Sequence, residues 1–305
     1  MKKDLIQLTD YSKEEIIHIL DLADKLKKER KDGIPHKLLE GKSLAMIFSK
    51  SSTRTRVSFE AGIYQLGGQG MFLSTNDLQL GRGEPIKDTA RVLSRYVDGI
   101  MIRTSSHDDV KELAKWASIP VINGLTDLAH PCQALADLMT IREHKGKLEG
   151  LQLTYIGDGN NVCNSLVVGA LICGMKACVV VPKGYEPPEV VLEFTKKYPG
   201  QFKLTNAPKE GANKADVLYT DVWSSMGQES EAEERKKIFD GFQINKELLS
   251  YADEKAIVLH CLPAKRSEEI TDEAMEAHAG PIFDEAENRL HAQKAVMALL
   301  MGQSV

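Results

Sequence analysis

The stretch Leu44–Leu66, LAMIFSKSSTRTRVSFEAGIYQL, joins a short apolar run to a longer amphipathic one through a loop of hydroxyls and cations. Five consecutive apolar residues, Leu44–Phe48, read as a strand buried on both faces, and a parallel sheet covered by helices provides that burial. Thr55–Leu66 reads as the helix that follows. The same strand–loop–helix unit repeats outward from this point. Before it, Ser12 and Glu15 form an S-x-x-E capping box ahead of Ile16, Ile19, Leu20, Ala23 and Leu26 at helical spacing, with a stop at Gly33. After it, strand-like runs at Met71–Leu73, Ile100–Arg103 and Val121–Ile122 alternate with helical segments Ile86–Val97 and Asp108–Ala117. A helix opened by Pro131 ends at Lys145-Gly146.

A second series begins at Leu151. Its strands fall near Leu153–Ile156, Cys178–Val181, Val217–Tyr219 and Ile257–Leu259, with helices Val162–Met175 and Pro188–Tyr198 between them. A last helix covers about Glu285–Met301. The pattern predicts an α/β fold of two open parallel-sheet α/β domains, with the last helix packing back on the first domain. The expected boundaries give one domain from 1–146 and 287–305 and another from 147–286. A chain of 305 residues suits two domains of roughly 150 residues each, and it can bury two cores without staples.

Net charge is −5, which argues against a nucleic-acid binder. Residues 1–150 carry 23 Lys/Arg against 21 Asp/Glu, and the remainder carries 16 against 23. That asymmetry would suit an anion in the first half and a cationic amine in the second. The five cysteines, Cys132, Cys163, Cys173, Cys178 and Cys261, have no CxxC spacing and read as reduced thiols. Met1-Lys2-Lys3-Asp4 lacks the apolar core of a signal peptide, and no apolar run reaches the roughly 18 residues of a membrane span. A soluble cytoplasmic protein is expected. Glu229–Lys237 is a dense charge run that reads as a solvated loop or helix face. Trp116 reads as a core residue, and the six histidines outside the clusters below read as surface or packing residues.

Ligands of open α/β sheets collect where strands end and helices begin, and five such loops carry unusual chemistry. In the first, Ser52, Thr53, Arg54 and Thr55 stand at a helix N-terminus, where unpaired N–H groups, hydroxyls and a guanidinium suit a phosphate. Capping alone would need fewer of them. In the second, Arg103 ends a strand, and His130 and Gln133 flank the start of a helix. Three convergent donors of this kind stabilise an oxyanion, although a histidine before a proline can also simply cap. The third, Gly157-Asp158-Gly159-Asn160-Asn161, invites a dinucleotide reading, but Val162 replaces the third glycine and no acidic residue ends the next strand. In the fourth, Asp221 can pair with an ammonium group and Ser225 can hold a carboxylate; an Asx-turn is the alternative for Asp221. In the fifth, His260-Cys261 raises the question of zinc, but no second ligand pair has matching spacing, so no metal is expected.

Ser52–Glu60, STRTRVSFE, resembles the carbamoyl-phosphate signature of the aspartate/ornithine carbamoyltransferase family. His130–Asp137, HPCQALAD, resembles a second motif of that family. Asp77–Glu84 (DLQLGRGE), Ser225-Met226-Gly227 and His260-Cys261-Leu262-Pro263 resemble its ornithine branch, and the resemblance runs the length of the chain. It implies transfer of a carbamoyl group from carbamoyl phosphate to the δ-amine of L-ornithine, with no cofactor, in a homotrimer or a multiple of trimers. It further implies that Ser52, Thr53, Arg54, Thr55, Arg103, His130, Pro131, Cys132, Gln133, Cys261, Leu262 and Arg289 hold carbamoyl phosphate. Gln79 would reach it from a neighbouring subunit. Asn161, Asp221, Ser225 and Met226 would hold ornithine, and Arg103, His130, Gln133 and Cys261 would act at the reacting centre. Where the family often has arginine after the proline, this chain has Ala264, and no role is assigned there.

An alkyl amine has a solution pKa of about 10.4 and must lose a proton before attack. The scheme therefore expects a dry site with no carboxylate beside the δ-amine, Asp221 on the α-ammonium and Cys261 near the δ-nitrogen. Putrescine, acylated ornithine and aspartate are the competing acceptors, and a phosphate-ligand-binding relative without turnover is the alternative from another class.

Overall fold

The structure is a computed structural model, which describes residues 2–224 and 231–302. The chain forms two compact units, one of residues up to Ala136 with those from Asn288 onward, the other of Asp137–Glu287.

In the first unit, helix α1 (Lys13–Lys31) precedes strand β1 (Ser43–Phe48), and α2 (Thr53–Gln65) leads to β2 (Gln69–Ser74). Helix α3 (Ile86–Leu93), β3 (Gly99–Arg103), α4 (His107–Trp116) and β4 (Val121–Leu125) follow, and α5 (Pro131–Lys145) leaves the sheet. The capping box forms: Ser12 Oγ accepts from the Glu15 N–H, and Glu15 Oε2 accepts from the Ser12 N–H. All four strands are parallel, in the order β2-β1-β3-β4. Strand β3 is buried throughout and β1 nearly so, whereas β2 at the edge is half-exposed.

The second unit runs β5 (Gln152–Ile156), α6 (Asn161–Ile172), β6 (Lys176–Val180), α7 (Glu189–Thr195), β7 (Phe202–Thr205), α8 (Pro208–Ala212) and β8 (Val217–Thr220). Then come α9 (Ala232–Ile238), α10 (Lys246–Leu249), β9 (Ile257–His260), α11 (Asp272–Ala277) and the long α12 (Ala279–Met301). Its five parallel strands lie in the order β7-β6-β5-β8-β9. Helix α6 is buried nearly all round, as its unbroken apolar run Leu166–Ile172 requires.

Both strand orders reverse once. The chain moves from β1 outward to β2, then returns to the other side of β1 with β3; it moves from β5 to β6 and β7, then returns beside β5 with β8. At each reversal the following loops turn away in opposite directions and open a crevice at the carboxyl ends. Those crevices lie between β1 and β3 and between β5 and β8.

The last helix starts six residues earlier than its spacing suggested, at Ala279, and its residues from Asn288 onward belong to the first unit. There it packs on α2 and β3: a Cβ on Gly62 would meet Met297 Cε at 2.9 Å, and one on Gly99 would meet Met301 Sδ at 2.8 Å. Strand β7 has no counterpart in the sequence reading, because Phe-Lys-Leu-Thr at a sheet edge lacks the apolar run of a covered strand. The helix expected to reach Val97 ends at Leu93, and that expected to reach Met175 ends at Ile172. Trp116 is not core; it is 37% exposed, with the Arg91 guanidinium 4.5 Å from its ring centre. All five cysteines are free thiols. Among the described residues no helix is long and apolar enough to cross a membrane.

Gly159 shows what the glycines after β5 do. Its N–H donates to the Tyr185 carbonyl at 2.9 Å, and an added Cβ would lie 2.5 Å from Pro187 N and Tyr185 O. The glycine admits a neighbouring backbone, not a pyrophosphate. Gly159→Ala should therefore lower stability by about 1–3 kcal/mol, since backbone cannot give way like a flexible side chain. Urea unfolding followed by circular dichroism measures this, and an unchanged midpoint would contradict the packing account.

Candidate functional site

The first crevice is tied together at its base. Ser49 donates both its N–H and its Oγ–H to the Arg103 carbonyl, at 2.9 and 3.0 Å, linking the loops after β1 and β3. Ser52 caps α2, its hydroxyl accepting the Thr55 N–H at 3.2 Å, so part of the hydroxyl cluster serves the helix itself. Thr53 and Arg54 in the first turn are exposed, while Thr55 is buried.

Arg289 organises what lies beside them. Its Nη1 donates to Gln133 Oε1 at 2.7 Å and its Nη2 to Thr55 Oγ1 at 3.3 Å, so one guanidinium joins the first turns of α2 and α5. Arg103, His130, Gln133 and Arg289 are each more than nine-tenths buried. Burial, followed by the charges of Arg289, Arg103 and Arg54, pushes the His130 imidazole well below its ordinary range. His130 is thus neutral at working pH, and three guanidiniums bear on it. This concentration of positive charge at a helix N-terminus has the chemistry to hold an anion, with a neutral hydrogen-bonding group beside it.

Pro131 opens α5 and is buried. Cys132 is buried and turns its Sγ to the Asn123 carbonyl at 3.5 Å. Desolvation pushes this thiol up to about 12, so it stays protonated. Gln79 begins a 3₁₀ turn, Gln79–Arg82, and is exposed.

At the second crevice Asp221 is the hub. Its Oδ2 accepts from Asn160 Nδ2 at 2.8 Å, and its Oδ1 accepts from the Val222 N–H at 2.8 Å and from Cys261 Sγ at 3.0 Å. Asn160 meanwhile caps α6, accepting the Val162 and Cys163 N–H groups at 3.0 and 3.1 Å. The sequence reading passed over Asn160; the signal was an Asn immediately before a helical run. Asn161, the first residue of α6, is half-buried beside it. Ser225 and Met226 lie outside the described residues.

The contact between Asp221 and Cys261 bears on one expectation. A carboxylate lies directly beside Cys261, so the thiol expected near the δ-nitrogen does not stand in surroundings free of acids. Burial, with the carboxylates of Asp221 and Glu285, raises the Cys261 thiol well above its ordinary range. It is a hydrogen-bond donor here, not a thiolate nucleophile. Leu262 next to it has φ 57°, a left-handed conformation costly for a branched residue. Its N–H donates to His260 Nδ1 at 2.9 Å, while His260 Nε2 donates to Glu269 Oε1 at 3.0 Å.

Asp221, His260 and Cys261 bring three potential metal donors within 4.8 Å of one another. Both imidazole nitrogens are already engaged, however, and the thiol is held protonated. The donor set suits a hydrogen-bonded proton network better than a metal.

The charge run after Asp221 is not uniformly solvated. Arg235 is 7% exposed, and its Nη1 donates to Asp158 Oδ2 and to the Trp223 carbonyl, both at 2.9 Å. It joins the loop after β5 to the one after β8.

The chain thus consists of two parallel-sheet units, one with a cationic cluster at its strand reversal and the other with an acidic one. Residues 3–143 match the family description "Aspartate/ornithine carbamoyltransferase, carbamoyl-P binding domain", and residues 149–300 match its "Asp/Orn binding domain". The chain belongs to the aspartate/ornithine carbamoyltransferase family. It is 58% identical over 301 residues to an ornithine carbamoyltransferase of Syntrophotalea carbinolica, covering 99% of this chain and 100% of that one. It is 55% identical over 304 residues to an "Ornithine carbamoyltransferase, anabolic" of Pyrococcus furiosus, covering 98% and 96%. The solved structure of ornithine carbamoyltransferase from Pyrococcus furiosus superposes with a TM-score of 0.95 at 54% identity, covering 100% of this chain and 98% of that one.

The neutral state of His130 has a pH consequence. Below the ordinary pKa of about 6.5 the unfolded chain takes up a proton that the folded imidazole resists, so stability falls as pH drops. Between pH 6.5 and 5.5 this effect is worth about 1 kcal/mol. His130→Asn should lose correspondingly less stability than the wild type between pH 6.5 and 5.5 in urea unfolding. Equal losses would mean that His130 is protonated in the folded protein.

Proposed function

We propose that the chain carbamoylates the δ-amine of L-ornithine with carbamoyl phosphate, giving L-citrulline and phosphate. The observation that carries this reading is the neutral His130 set among Arg54, Arg103 and Arg289, with Arg289 fixing Gln133 and Thr55. In this scheme Arg54, Thr53, Thr55 and the first-turn N–H groups of α2 hold the phosphate, with Ser52 capping that turn. Arg103, His130 and Gln133 donate to the carbamoyl oxygen as it gains charge in the tetrahedral intermediate. A neutral imidazole can donate there without neutralising the nearby phosphate. In this scheme Pro131 and Cys132 contact carbamoyl phosphate as part of the first unit, and Cys261 and Leu262 touch its carbamoyl group as the family resemblance implies, the cysteines as protonated thiols. Phosphate is a good leaving group, so the scheme draws on no metal or organic cofactor.

The residues 1–146 and 287–305 form the carbamoyl-phosphate domain in this reading, and 147–286 the ornithine domain. Asn161, with Ser225 and Met226, takes the α-carboxylate, and Asp221 takes the α-ammonium. Asp221 is also hydrogen-bonded to Cys261, which places a proton acceptor next to the group that meets the δ-nitrogen. The family's biosynthetic role in arginine metabolism, a cytoplasmic location and a homotrimer or multiple of trimers complete the proposal.

Radiolabelled carbamoyl phosphate supplied with ornithine, putrescine, acylated ornithine or aspartate tests the acceptor. Labelled citrulline should dominate, and preference for aspartate would sink the claim. Asp221→Asn should lower kcat/KM for ornithine by on the order of 100-fold while leaving carbamoyl-phosphate affinity within about twofold. A variant weakened only toward carbamoyl phosphate would reverse the assignment of the two units.

Gln79 offers a separate test of assembly. In the trimer it completes the site of a neighbouring subunit across a cyclic heterologous interface. Arg54→Ala and Gln79→Ala chains, each assayed alone for residual activity and then co-refolded in equal amounts, should regain about one working site in four. No recovery in trimers shown to have exchanged subunits would place Gln79 in its own chain's site or outside it.

A further inference from the structure

The second unit holds two buried acids that this scheme leaves unused. Asp137 on α5 and Glu285 on α12 are both 0% exposed, and a single hydroxyl, that of Tyr219, reaches both carboxyl groups. Tyr219 Oη on β8 lies 3.0 Å from Glu285 Oε1 and 3.3 Å from Asp137 Oδ1. The second oxygen, Glu285 Oε2, accepts the backbone N–H of His260 at 2.9 Å. His260 ends β9 directly before Cys261, whose Sγ bonds to Asp221.

Glu285 interacts with Asp137 from α5, Tyr219 from β8 and Cys261 just after β9. Each of these three is anionic or neutral when it titrates. Two carboxylates in one buried site repel each other strongly, and such a pair resolves the conflict by keeping a proton between them. The single phenolic proton of Tyr219 cannot satisfy both acids at once.

We propose that Asp137 and Glu285 share one proton at neutral pH and act as a positioning pair for the His260–Cys261 junction, and through it for the amine acceptor. Burial and the neighbouring Asp137 push the Glu285 carboxyl well above its ordinary range, in the direction this requires. The shared proton lets Glu285 face Asp137 without repulsion while its other oxygen holds the His260 amide. Loss of that proton would put a second negative charge beneath Asp221 and Cys261. The positioning role rests on the ornithine reading above; the shared proton does not.

The chain's own variants separate the two parts. Glu285→Gln keeps an oxygen for the His260 amide and an N–H₂ that can donate to Asp137, so it imitates the protonated acid. Infrared spectra at pH 8 should show the carbonyl stretch of a protonated carboxyl in the wild type, and Glu285→Gln should lose it as Asp137 ionises beside the amide. Identical spectra in the two proteins would overturn the shared proton. Glu285→Ala leaves the His260 amide without its acceptor and should raise the ornithine KM on the order of tenfold, with the carbamoyl-phosphate KM changed less than about twofold. Glu285→Gln should restore the ornithine KM to within about threefold. A Gln variant as impaired as the Ala variant would overturn the positioning role. Should the Ala variant fail to fold, the infrared comparison and the ornithine KM of Glu285→Gln still decide. A wild type inactive on ornithine would refute the reaction, and the infrared comparison would still decide the pair.

Discussion

A parallel sheet that reverses its strand order once must open at its carboxyl edge, because the loops on either side of the reversal leave in opposite directions. Both units of this chain obey that constraint, and the reactive groups follow from it. In each, a hydroxyl closes the base of the opening: Ser49 bonds to the Arg103 carbonyl across β1 and β3, and Thr220 to the Ile156 carbonyl across β5 and β8. Above the first lie Arg54, Arg103 and the helix start with His130 and Gln133. Above the second lie Asn160, Asn161 and Asp221. Neither group is contiguous in sequence; strand order makes each one a site.

The two openings differ in sign, and the difference sets the protonation of their neighbours. Burial, reinforced by the guanidiniums at the first, keeps His130 neutral, so it serves as a hydrogen-bonding group without adding a charge. Burial, reinforced by the acids at the second, keeps Cys261 a thiol. Both effects are large because the groups are buried, where charge is poorly screened. The modest excess of bases in the first half of the chain and of acids in the second is the faint sequence-level trace of this arrangement.

Much of this was legible because the informative signals were local. Short, mostly apolar runs marked β1, β3, β5 and β9, and the polar residues at the ends of β1 and β3 drew attention to Arg54 and Arg103, whereas Asn161 and Cys261 were singled out by the family resemblance. What escaped depended on distant partners. Strand β7 sits at an edge, where alternating exposure hides a strand. Trp116 was assigned to the core from its type, but a cation covers one face of its ring at the surface. Arg235 sat in a run whose local charge density implied solvent, yet Asp158, 77 residues away, draws it inward. The Asn160 cap had a local signal, but its bond to Asp221 did not, and Glu285 was hidden for the same reason: these roles come from Asp221 and Asp137, which only the fold brings to them.

The central claim is that a carbamoyl group passes to the δ-nitrogen of ornithine. The most direct measurement supplies ¹³C-carbamoyl phosphate with ornithine labelled by ¹⁵N at the δ position and follows the product by NMR. A one-bond ¹³C–¹⁵N coupling at the carbamoyl carbon, growing with enzyme concentration, is the predicted result. A carbamoyl signal from ornithine without that coupling would place the new bond on the α-nitrogen and contradict the account.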